Sequence, residues 1–209
     1  KTVAAVEKEL FLSIEKMYEM YLYLMSAMTY IRDVADQKIE DNKKKRIPTE
    51  EDLNPNMRFV ENRFLKQLDV NKSIASASEK KKVSWTGEGE LIRKFYRVLL
   101  ESEEYQNYMS AEEDNYAADK EVVIRFFKRH LINLESFQSF FDEKSIFWSD
   151  DLDIVASMAL KTFKSFEEDS DEFLPILTLW KDPEDEIEFA KTLFRKTLSQ
   201  ATEHNTLIK

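Results

Sequence analysis

Residues 10–35, LFLSIEKMYEMYLYLMSAMTYIRDVA, decide the fold of this chain. Leu10, Ile14, Met17, Tyr21, Leu24, Met28, Ile31 and Ala35 recur at alternating steps of four and three, which stacks them on one face of an α-helix. Phe11, Tyr18 and Met25, seven apart, form a second row beside the first. A stripe this broad exceeds a coiled-coil seam and should pack against more than one neighbour. No Gly or Pro interrupts residues 2–46, so a single helix is expected there, turning purely polar at Asp41–Arg46 and stopping before Pro48.

The remaining sequence follows the same pattern. Only Gly87, Gly89 and four prolines punctuate 209 residues, which leaves little room for hairpins or tight turns. A loop is expected over residues 47–56, followed by a helix from Met57 to Asp69 with Phe59, Val60, Phe64 and Leu68 inward. Asn71 reads as the N-cap of a short helix ending in Lys80–Lys82. After the break at Gly87 and Gly89, a helix should run from Leu91 to about Ser102, with a short one carrying Tyr105, Tyr108 and Met109 behind it. Periodicity then predicts one long helix from Tyr116 to Asp142 and another from Asp150 to Phe166. Glu167–Glu172 is an acidic linker. Asp182, Pro183 and the carboxylates of Glu184, Asp185 and Glu186 mark a last helix start, where negative charge suits the dipole. No strand or internal repeat is apparent. The expected fold is all-α, a multi-helix bundle forming one body or two packed helical subdomains. Its parts are residues 1–86, a helical extension over 87–180, and a final helical segment over 181–209.

Composition narrows the function classes. With 43% hydrophobic and 34% charged residues the chain should fold rather than remain disordered. It contains no cysteine, so neither disulfides nor thiolate chemistry are available. No apolar run approaches the roughly 20 residues needed to span a bilayer, so no membrane association and a cytoplasmic location are expected. Beginning at Lys1 without an initiator Met, the chain reads as a piece of a longer protein. The net charge of −10 argues against broad, nonspecific binding of polyanions.

Chemistry-bearing motifs are sparse. His130 and His204 are the only histidines, and neither lies in a Glu-x-x-His or His-Glu-x-x-His arrangement that would set two metal ligands on one helix face. Asp150, Asp151 and Asp153 precede a helix, where carboxylates are favoured by the dipole without any metal; Glu112, Glu113 and Asp114 carry no better pattern. Gly-x-Ser-x-Gly elbows and Gly-rich phosphate loops are absent. An enzyme is therefore not expected, nor a cofactor. Three basic stretches could meet RNA phosphates: Lys43, Lys44, Lys45 and Arg46; Lys80, Lys81 and Lys82; and Arg125, Lys128 and Arg129 around Phe126 and Phe127. The lysine runs, which are the RNA-binding candidates, also stand at helix C-termini, where cations suit the dipole anyway. Phe126 and Phe127 follow the inward periodicity and read as core. Trp85, Trp148 and Trp180 lie just outside expected helices, positions from which an indole commonly lids a core.

Residues 51–64, EDLNPNMRFVENRF, resemble a phrase of the long-form NusB transcription factors, whose bacterial core is extended by extra helices. Residues 147–155, FWSDDLDIV, and 116–119, YAAD, look like two further phrases. The segment from Lys181 to Lys209, with Phe189, Ala190, Leu193 and Phe194, resembles a helix of the common NusB core. The resemblance implies a helical protein that pairs with NusE, a small-subunit ribosomal protein, binds boxA-type RNA and joins the transcribing RNA polymerase to suppress premature termination. The family's arginine-rich amino-terminal helix has no counterpart here, and the core helices expected after Lys209 are missing. No family RNA-binding residue therefore carries over to a numbered position. A rival expectation, from the residues alone, is a helical protein–protein adaptor that binds through an exposed face at Tyr18, Tyr21 and Met25.

Overall fold

The computed structural model describes residues 3–144, 148–174 and Ile176. Among them every regular element is helical: α1 (Val3–Lys43), α2 (Glu50–Leu53), α3 (Arg63–Asp69), α4 (Lys72–Lys81), α5 (Gly89–Glu101), α6 (Glu103–Ser110), α7 (Tyr116–Arg129), a 3-10 turn (Leu131–Asn133), α8 (Glu135–Lys144) and α9 (Trp148–Ser165). The chain is an all-α multi-helix bundle. The Lys181–Lys209 segment, Trp180 and His204 lie outside the described residues, as does the Trp148 side chain.

α1 is the spine. Its middle, Met20 to Met25, is buried at every position, as a helix apolar all round must be. The width of the stripe accounts for its neighbours, because α9, α5, α3, α4 and α2 all pack on α1. Burial fades toward the amino-terminal end, where Leu10 and Leu12 are exposed and Ile14 and Met17 are half-buried. Side chains from Met20 to Ile176 join one continuous core, so the segments on either side of Gly87 share it. Trp85 is the largest fully buried side chain and does lid this core. Its indole Nε1–H donates to the Tyr23 carbonyl at 3.1 Å, while its ring stacks on Phe140 and meets Tyr23 and Phe95 edge-on. Removing so large a ring from water contributes about 3 kcal/mol.

The observed helices depart from the sequence expectation in three places, each with a local cause. Residues 47–56 are not all loop, because Thr49 accepts from the Asp52 backbone N–H and Asp52 accepts from that of Thr49. This reciprocal capping box winds α2. The helix expected from Met57 begins only at Arg63, because Asn62 turns its side-chain oxygen onto the Leu65 N–H and so acts as N-cap. The long helix expected over Tyr116–Asp142 is broken. Asn133 donates to the carbonyls of Lys128 and Arg129, closing α7, and the chain turns a corner before α8 starts at Glu135. That corner keeps Leu131 buried and folds Phe137, Phe140 and Phe141 back onto Tyr23 and Trp85.

Candidate functional site

Among the described residues a dense polar cluster lies where α3, α6 and α7 meet. Asp119, in the first turn of α7, is 2% exposed. Its carboxylate accepts from the Arg63 backbone N–H at 2.9 Å, from Arg63 Nε at 2.6 Å and from the Tyr108 hydroxyl at 2.7 Å. Three donors on one buried carboxylate offset the cost of removing it from water. Asn62, fully buried, caps α3 with its oxygen and donates through Nδ2 to the Asp119 carbonyl at 2.8 Å. The Tyr108 hydroxyl is pushed well above its ordinary pKa by burial and by the Asp119 carboxylate it serves. Arg58 covers the cluster: its guanidinium lies 4.4 Å from the Tyr108 ring centroid and donates to the carbonyls of Ala111 and Glu113, while Arg63 also pairs with Asp114. Asp119, Asn62 and Tyr108 all direct their polar atoms at one another and at the neighbouring backbone, whereas the buried Arg58 Nε has no hydrogen-bond partner among the described residues. The arrangement is a joint that fixes the α6–α7 loop to α3.

Beside it, Glu104 of α6 holds the end of α7. Burial alone would raise its carboxyl, but Arg129, its own backbone N–H and His130 outweigh that and bring the pKa down to about 2. Arg129 Nη1 and His130 Nε2 each stand 2.8 Å from a Glu104 oxygen, and the imidazole stacks on Phe126. His130 is thus committed to an intramolecular contact at the boundary of the core. Among the described residues no group of three or more His, Cys, Asp or Glu side chains could hold a metal ion.

The two lysine runs are placed far apart. Lys81 reaches Glu15 at 3.5 Å, whereas Lys43 lies 28 residues further along α1, about 42 Å at the α-helical rise. No single phosphate-binding face therefore includes both. Within the first run Lys43 pairs with Glu40 at 2.8 Å and Lys45 with Asp52 at 2.9 Å. Lys44 and Arg46 are exposed, as are Lys80 and Lys82, and none of the four has an ion pair among the described residues. Phe126 and Phe127 are completely buried, so the third basic stretch has no aromatic platform there. The face at Tyr21 and Met25 is closed as well: both are buried, and the Tyr21 hydroxyl is 2.8 Å from Thr162 Oγ1 of α9. Tyr18 is half-buried.

The polar joint was not legible as a unit. Asp119 reads in sequence as an ordinary first-turn carboxylate, and only the approach of α3 makes it a buried acceptor. The signal that could have found it is the N-cap pattern at Asn62, which places Arg63 at the first helical position facing that carboxylate.

Compared with protein-family models, with curated proteins and with solved structures, the chain matches none. No helix of the described residues is long and apolar enough to cross a membrane.

Proposed function

We propose that this chain belongs to a NusB-like transcription antitermination factor, which with NusE binds boxA-type RNA and joins the transcribing RNA polymerase. Such a role is recruitment, with no bond made or broken. The observation that supports it is the convergence of the phrases that carry the resemblance. Asn62 and Arg63, from residues 51–64, bond Asp119, from residues 116–119, and Phe64 meets Tyr116 edge-on. Leu152 and Val155, from residues 147–155, are buried in the shared core that Phe64 enters against Phe163. Described residues of all three phrases thus meet in one shared core.

The exposed cations Lys44, Arg46, Lys80 and Lys82, which have no ion pair among the described residues, offer the RNA a weak, salt-sensitive attraction. The test is fluorescence anisotropy of labelled boxA RNA against a scrambled RNA, with and without NusE, at two salt concentrations. Both this chain and the full-length protein are titrated. Selective binding by the full-length protein, at least about tenfold over the scramble, supports the reading. Equal affinity for both RNAs in the presence of NusE refutes it.

A further inference from the structure

The groove between the carboxy-terminal part of α1 and α5 plays no role in the antitermination reading. One wall is Val34, Gln37, Lys38 and Asp41, spaced as a single face of α1; the other belongs to α5. Together they enclose about 340 Å³. Val34, Tyr96 and Leu100 make an apolar floor, each half-buried against the main core. The charges on the rim are unequally satisfied. Asp41 accepts from the Gln37 amide at 2.8 Å, and Glu90 pairs with Arg93 at 2.5 Å. Lys38 and Arg97 are exposed and have no ion pair among the described residues. Lys38, Arg93 and Arg97 against Asp41 and Glu90 leave the lining with one positive charge in excess, in a chain of net charge −10.

We propose that the groove seats a short acidic amphipathic helix of a partner protein, with its apolar side chains on Val34, Tyr96 and Leu100 and its carboxylates toward Lys38 and Arg97. Helix-in-groove docking needs an apolar floor between two helices and complementary rim charges, and both are present. The walls run about 10 Å along α1 and about 15 Å along α5, which suits two to three turns of a docked helix. A nucleic-acid strand fits less well, because the floor it would meet is mostly apolar side chain. The inference stands independently of the RNA reading.

The absence of cysteine allows a clean reporter, an environment-sensitive dye on Gln37→Cys, an exposed position that lines the groove. The probes are synthetic peptides of roughly 14 residues with leucines at i, i+3, i+4 and i+7 among glutamates, a scrambled peptide of the same composition, and a single-stranded RNA of equal charge. Saturable response to the patterned peptide is expected, with the scramble about tenfold weaker. In Lys38→Glu/Arg97→Glu the patterned peptide should weaken about tenfold while helicity and thermal midpoint stay unchanged, because both side chains are exposed. Equal response to the scramble, no response to the patterned peptide, or unchanged affinity in the charge-reversed variant overturns the proposal. Preference for the RNA assigns the groove to nucleic acid and overturns it too.

Discussion

Replacing Asp119 by Ala should be among the most damaging single changes to this protein, although no part of its side chain belongs to the apolar core. The carboxylate receives three hydrogen bonds, from the Arg63 N–H, Arg63 Nε and the Tyr108 hydroxyl. A bond to a charged acceptor is worth about 1.5–3 kcal/mol, and the cost of burying the carboxylate takes back several of the total. Truncation leaves the Arg63 N–H without its partner, at about 1–3 kcal/mol, while the Tyr108 hydroxyl exchanges a charged acceptor for the Arg58 carbonyl at 3.1 Å. The Arg63 guanidinium is less costly to strand, because its side chain is 40% exposed and keeps Asp114. The balance is a loss of about 3 kcal/mol, or a fall of about 6–12 °C in thermal midpoint for a domain of this size. Arg63→Ala should cost about as much, since it leaves a buried carboxylate without its cation. The double variant should cost less than the sum of the two by about 1–2 kcal/mol, because each change removes the reason the other hurts. Urea unfolding followed by far-UV circular dichroism and tryptophan fluorescence measures all three. Strictly additive losses, or an Asp119→Ala loss below about 1 kcal/mol, would refute the view of this cluster as a cooperative joint.

Four further expectations follow from the same structure. Glu104 is held at about 2, below its ordinary value, so its contribution is complete above about pH 4.5 and disappears as the pH falls toward 2. Wild type should therefore exceed Glu104→Gln by about 1 kcal/mol at pH 6, a figure reduced for the 63% exposure of Arg129, and converge with it near pH 2; a gap that widens on acidification would contradict the assignment. Asn71→Ala removes the side-chain cap on the Ile74 N–H and should cost about 1–2 kcal/mol in urea unfolding. Trp85→Phe keeps most of the ring packing but loses the bond to the Tyr23 carbonyl, so a loss of about 1–2 kcal/mol is expected by the same assay. Lys44→Glu/Arg46→Glu should change stability by less than about 0.5 kcal/mol, while on the antitermination reading it reduces the salt dependence of RNA binding by the full-length protein by about one released ion per cation.

The sequence alone determined that this chain is helical and that its first helix packs against more than one neighbour. A 3.6-residue period and a shortage of Gly and Pro are local properties, legible without knowing what lies opposite. N-caps are local too, and Asn71, read as one, stands where α4 begins. Tertiary structure decided what periodicity passes over. The run of apolar residues from Tyr116 to Asp142 continues through Asn133, yet the chain bends there because Phe137, Phe140 and Phe141 reach Tyr23 and Trp85 only from a second helix. Likewise, nothing in the residues around Asp119 marks it as buried. Its role comes from Arg63 and Tyr108, 56 and 11 residues away, brought together by the packing of α3 and α6 on α7. The same separation holds for charge. Sequence shows where cations lie along the chain, but their use depends on through-space partners: Lys45 is taken by Asp52 and Lys81 by Glu15, while Lys38 and Arg97 are left facing a groove that exists only because two helices lie side by side.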